Sequence, residues 1–223
     1  MKMSRRGMLT AACGCCLAAL GAAACSTNAQ DSQVVTQASG SDRERKSSAR
    51  GERRDGSGLP DLHHVALIVA DRDRSLAKLQ DGFGFGRSHV FDAQFPKARV
   101  SSGVTGFNLR IGFTWMGNTL LELLQPVDDR SPHATFLKER GEGMHHLGFL
   151  VRSIERELDA MAATRGGQRP PLLVDAMTAD GVSWCYVEGE YANGAVIELI
   201  ERSPESEKFF KQIYQATGGR MPD

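Results

Sequence analysis

Two stretches of the chain carry the same order of apolar and polar positions. Each opens with paired histidines leading an apolar run: His63-His64-Val65-Ala66-Leu67-Ile68-Val69 and His145-His146-Leu147-Gly148-Phe149-Leu150-Val151. Each closes on a glutamate enclosed by aliphatics, Leu120-Leu121-Glu122-Leu123-Leu124 and Val196-Ile197-Glu198-Leu199-Ile200. From His64 to Glu122 is 58 residues and from His146 to Glu198 is 52. An internal repeat on this scale fixes the architecture before any single element does.

Between these landmarks the pattern switches period in the same order twice. A β-rich run over 62–70 meets Asp71-Arg72-Asp73, side chains suited to a helix start, and a helix follows from Ser75. The glycine cluster 82–86 ends that helix; no helix follows it, so it is a C-cap and turn rather than a phosphate loop. Strands are expected over 88–95, 107–116 and, after Gly117-Asn118, 119–125. The second copy gives a strand over 144–151, a helix over 154–164 and strands over 172–177 and 182–188. An Asn193-Gly194 turn leads into a last strand, 195–201. Ser131-Pro132 and Ser203-Pro204 each place a capping hydroxyl before a proline at the first helical position, predicting a linking helix through Lys138 and a final helix to about Ala216. The expected fold is α+β. Two paired βαβββ modules, 61–126 and 144–202, form a metal-binding cup, with a C-terminal helix over 203–217.

The rest of the chain is different material. Residues 1–25 run from Ser4-Arg5-Arg6-Gly7 through Ala, Leu, Gly and Cys to Cys25, which reads as an export signal resembling the twin-arginine type. Leu20-Gly21-Ala22-Ala23-Ala24-Cys25 loosely resembles a lipoprotein box, making lipidated Cys25 a candidate membrane tether, with cleavage near Ala29 as the alternative. The expectation is an exported protein, periplasmic or at the cell surface. Residues 26–60 are polar and nearly without apolar positions, the composition of a disordered linker. The formal net charge of zero gives no footprint for nucleic acid. Four of the five cysteines precede residue 26, so Cys185 has no intrachain partner in the folded domain and reads as a small core residue.

Alternation along a strand separates the paired histidines. His64 shares a face with Ala66 and Ile68, and His146 with Gly148 and Leu150; the neighbours His63 and His145 fall on the bulkier faces that suit packing beneath helices. The small residues beyond His64 and His146 suggest room for something other than a side chain. Glu122 and Glu198 sit inside aliphatic strands, where an unpaired carboxylate is strongly penalised and needs a cation or a hydrogen-bond network. Arg110 is one candidate partner. Two such glutamates at matching places favour instead one shared divalent ion (Zn, Ni, Co or Mn) held by His64, Glu122, His146 and Glu198.

The same residues resemble the vicinal oxygen chelate superfamily, which contains glyoxalase I, methylmalonyl-CoA epimerase, extradiol dioxygenases and bleomycin-resistance proteins. The likeness runs from Leu62 to Ile200 and is densest over Gly117-Asn118-Thr119-Leu120-Leu121-Glu122-Leu123-Leu124-Gln125-Pro126 and Arg140-Gly141-Glu142-Gly143-Met144-His145-His146. It implies that the first and last strands of each module line a cup and supply the four metal ligands named above. It also implies isomerase or lyase chemistry on a small organic substrate through a metal-stabilised enolate, with Glu198 or Glu122 as base. Epimerases of this family carry a further glutamate about one strand ahead of the Glu122 position. Here Val104-Thr105-Gly106-Phe107-Asn108-Leu109 holds no acid, and 96–106 reads as a rearranged loop. The alternatives are a non-catalytic ligand- or drug-binding protein and a protein whose metal is structural. A homodimer is compatible with the resemblance. The cup lining is expected among Phe95, Phe107, Phe113, Trp115, Trp184 and Tyr186.

Overall fold

The computed structural model describes residues 58–189 and 194–219. The export signal with Cys25, the linker up to residue 57 and Asn193 lie outside the described residues.

The first module runs β1 (His64–Ile68), α1 (Arg72–Phe83), β2 (His89–Val100), β3 (Gly103–Met116) and β4 (Thr119–Pro126). After α2 (Pro132–Arg140), the second repeats the order as β5 (Gly143–Val151), α3 (Ile154–Thr164), β6 (Leu172–Met177), β7 (Ser183–Val187) and β8 (Val196–Glu201), followed by α4 (Pro204–Thr217). Local chemistry sets the helix ends. The Asp71 carboxylate accepts from the Arg74 amide at the start of α1, and left-handed Gly84 closes it. Ser203 and Ser206 form a capping box across the first turn of α4, with Pro204 opening the helix.

The eight strands close into a barrel in the order β1-β4-β3-β2-β6-β7-β8-β5. Within each module the first and last strands pair in parallel, β1 with β4 and β5 with β8. Two antiparallel seams join the halves, β1 to β5 and β2 to β6. The second seam corrects the expectation of a rearranged loop at 96–106. Strand β2 continues to Val100 and β3 begins at Gly103, with a register shift between Phe95 and Ala98 that accommodates Pro96, which has no amide to donate to a ladder. The extension brings Arg99 and Val100 opposite Asp175 and Val174, closing the barrel.

Val65 and Leu67 face outward and pack with Leu76 and Leu79 of α1, whereas Phe149, Val151 and buried Cys185 pack with Leu158 of α3. The inward faces form the main core, together with Phe210, Ile213 and Tyr214 of α4. Apolar residues from three helices thus cover one barrel, whose interior holds the main core together with the residues of the candidate site.

Candidate metal centre

Strand register explains how the four polar residues meet. Ala66 of β1 lies opposite Glu122 on β4 and opposite His146 on β5. Gly148 of β5 lies opposite His64 on β1 and Glu198 on β8. Each small residue is therefore flanked by one imidazole and one carboxylate, all on the inward face. The space beyond His146, at Gly148, is needed for the imidazole of His64 rather than for a foreign group. A methyl built on Gly148 would fall within the ring of His64.

All four side chains are buried, and one ligand atom from each lies within 4.8 Å of the others. His64 Nε2 is 3.1 Å from His146 Nε2, 3.0 Å from Glu198 Oε2 and 3.4 Å from Glu122 Oε2. His146 Nε2 is 3.3 Å from Glu122 Oε2 and 3.4 Å from Glu198 Oε2. Donors held about 2.0–2.1 Å from one ion stand about 3.0–3.4 Å apart in octahedral or tetrahedral arrangements, so these spacings fit a divalent ion bound by mixed nitrogen and oxygen donors. Glu198 Oε2 is also buried without a donor aligned for a hydrogen bond, although the imidazoles stand at ion-pair distance. Arg110 does not serve either glutamate as an alternative cation; its Nε lies 4.0 Å from Asp92.

Electrostatics describe the same cluster without an ion. Burial opposes a charge on His64, but close contacts with Glu122 and Glu198 outweigh it and push its pKa up to about 10. His146 is raised for the same reasons. Burial acts against ionised Glu122 and Glu198, yet the two imidazoles hold Glu122 below the usual carboxylate range and Glu198 well below it. Protons on the histidines thus balance the buried carboxylates where a cation would otherwise do so.

The neighbouring histidines lie outside this cluster and touch it from behind. His63 Nδ1 is 3.0 Å from His64 Nδ1, and His145 Nδ1 is 3.1 Å from His146 Nδ1. Burial and His64 keep His63 below the ordinary histidine range; burial and His146 bring His145 down to about 3. His63 packs on Phe210 of α4, and His145 on Phe136 of α2.

A cavity of ≈ 60 Å³ opens onto His64, Glu122 and Glu198. Of the six aromatic residues expected there, Phe95, Phe113, Trp184 and Tyr186 line it, but Phe107 and Trp115 do not. Phe107 packs between Phe95 and His133, and Trp115 turns to α4, where its Nε1–H donates to Thr217 Oγ1 at 2.8 Å. In their place Phe209 and Phe210 of α4 complete the wall. Their adjacency in an amphipathic helix was the available signal, but nothing local said which element that helix covers. The Tyr186 hydroxyl lies 3.0 Å from Nε2 of buried His133, a second pair the sequence pattern did not mark. A larger cleft of ≈ 430 Å³ beside α2 includes His145 but none of the four donors.

Residues 63–168 match the family profile described as Glyoxalase/Bleomycin resistance protein/Dioxygenase superfamily. Over those residues, just under half of the chain, the sequence carries the pattern of this superfamily, the vicinal oxygen chelate group. It is 28% identical over 96 residues to the uncharacterized protein YqjC of Bacillus subtilis, covering 42% of this chain and 65% of YqjC, just under two thirds of that relative. It is 28% identical over 146 residues to the mitochondrial methylmalonyl-CoA epimerase of Dictyostelium discoideum, covering 65% of this chain and 80% of that protein. The ethylmalonyl-CoA/methylmalonyl-CoA epimerase of Cereibacter sphaeroides is 29% identical over 143 residues, covering 62% of this chain and 95% of that one.

Proposed function

We propose that this protein is a metal-dependent enzyme that removes a proton next to a substrate carbonyl and returns it or eliminates from the resulting enolate. It would be an isomerase or lyase of the epimerase-like kind. The observation that carries the reading is the convergence of His64, His146, Glu122 and Glu198 on one buried point that opens into an apolar cavity. The epimerase relatives support the reaction class. Those four side chains would hold the divalent ion, which when bound supplies a Lewis acid for adjacent substrate oxygens.

The chain's own residues set the rest. Glu198 is the proposed base: its side chain lines the cavity. The proton passes from the substrate α-carbon to this carboxylate, and the C–H electron pair moves onto the carbonyl as the enolate. Delivering a proton to the opposite face of that carbon, or to the neighbouring carbon of the enolate, completes an isomerisation. Glu122, which also lines the cavity, would serve as the other carboxylate ligand. The aromatic walls keep water from the carbanionic carbon. Phe209 and Phe210 close the cavity to a compact, largely apolar acyl group, and only that end of a larger thioester would be enclosed. The export signal read at residues 1–25 extends the proposal to an exported enzyme whose folded-state route would let the ion be loaded before translocation.

Incubation in deuterated solvent with a panel of α-hydroxy, α-keto and 2-methyl-branched acyl compounds is expected to exchange the α-proton of at least one of them, and Glu198→Gln to slow that exchange by a factor of about 100 or more. Absence of exchange across the panel from metal-loaded protein would favour a non-catalytic binding role.

A further inference from the structure

The C-terminal helix is joined to the metal centre by a continuous polar line. His64 directs Nε2 at the shared point, where Glu198 Oε2 stands at 3.0 Å and His146 Nε2 at 3.1 Å. Its other ring nitrogen, Nδ1, is 3.0 Å from His63 Nδ1. His63 Nε2 is in turn 2.6 Å from the hydroxyl of Tyr214, 151 residues away on α4. Only one arrangement of protons frees Nε2 of His64 for an ion. The Nδ1–H of His64 donates to Nδ1 of His63, and the Nε2–H of His63 donates to the Tyr214 oxygen.

Packing holds the far end of that line. The edge of His63 meets the Phe210 ring at a centroid distance of 4.4 Å. The Tyr214 ring lies 5.4 Å from Trp115, whose indole N–H is tied to Thr217 one turn further along α4. Tyr214 also accepts, through its carbonyl, the amide of Gly219 at 3.0 Å. Tyr214 is nearly fully buried, so its hydroxyl is fixed by the fold rather than free to reorient in water.

We propose that His63 and Tyr214 are positioning residues of the metal centre: they fix the tautomer and orientation of His64, so that docking of α4 completes the site. A partner on the second nitrogen of a ligating histidine commonly accounts for 10–100-fold in metal affinity. The proposal rests on the metal-site reading above and assigns α4 a role beyond walling the cavity.

The test is titration of the stripped full-length chain with Co²⁺, following affinity, the visible absorption of the bound ion and the melting temperature of the metal-free protein. Tyr214→Phe and His63→Ala are expected to weaken Co²⁺ binding by about 10–100-fold and to alter its spectrum. His63→Gln offers an amide oxygen to His64 and an amide N–H to Tyr214, so it should recover part of the affinity. Ile213→Val, which loosens the buried face of the same helix at a side chain that makes none of the line's hydrogen bonds, should lower the melting temperature and leave Co²⁺ affinity unchanged. Wild-type affinity and spectrum in Tyr214→Phe and His63→Ala would overturn this proposal alone. No Co²⁺ uptake by the wild type would overturn the metal centre itself, and the proposal with it. Affinity losses in all variants that merely follow their melting temperatures would show packing rather than positioning.

Discussion

Gly148→Ala is expected to remove stoichiometric metal binding with the addition of a single methyl group. Gly148 lies across the β1–β5 seam from His64, and an added Cβ would occupy the space of the imidazole ring itself. The ring has nowhere to retreat, because His146 and Glu198 border it on the cavity side and His63 lies behind it. Either His64 leaves the cluster or β1 and β5 separate at the joint between the two modules. Overpacking of this kind costs about 1–3 kcal/mol, so the variant should still fold but melt lower. Metal analysis with a thermal melt checks both parts. Full metal content in Gly148→Ala would mean that the His64 ring does not occupy the space opposite residue 148.

The second large effect is expected from His146→Ala. His146 stands 3.3 Å from Glu122 and 3.4 Å from Glu198 and is one of the two imidazoles that balance these buried carboxylates. Removing one partner of a buried charge group costs about 3–5 kcal/mol, because the remaining charges are left without compensation. The pH dependence gives the loss a sign. In the wild type both glutamates are held below their ordinary value of 4.5, so they contribute stability above that pH that is lost as pH falls through their lowered folded values. Without His146 that contribution shrinks or reverses. His146, raised above its ordinary 6.5, adds a contribution that is full below that pH and lost as pH rises, so the gap between the two proteins should be largest between about pH 4.5 and 6.5 and narrow on either side. Urea denaturation of the metal-free proteins from acid through mildly acid to alkaline pH measures it. A constant gap across that range would mean that the glutamates do not depend on His146.

The contrast between these two residues shows what the sequence could reveal. Strand alternation places His64 with Ala66 and His146 with Gly148, and the structure turns these faces into the barrel. Glu122 and Glu198 stand out because a carboxylate inside an aliphatic strand demands compensation, a requirement visible without any tertiary contact. The purpose of Ala66 and Gly148 was not visible, since it depends on pairing between modules some 80 residues apart. Pro96 reads locally as a break, yet a bulge absorbs it and the hairpin runs on to close the barrel. The face of α4 is likewise evident from its pattern, but its destination is not. Phe209, Phe210 and Tyr214 acquire their roles only when the helix docks against His63 and the cavity.

The fold also shows why one ion should serve two half-sites. Neither module alone gathers more than one imidazole and one carboxylate, and the β1–β5 seam brings the two sets within contact distance. The most direct measurement is therefore metal content per chain of the full-length protein, compared with the single variants His64→Ala, Glu122→Ala, His146→Ala and Glu198→Ala. One divalent ion per wild-type chain, with loss in each of the four variants, is the expected result. An ion retained at full occupancy by variants from either half, or no ion in the wild type after exposure to Zn²⁺, Ni²⁺, Co²⁺ and Mn²⁺, would contradict a centre shared between the modules.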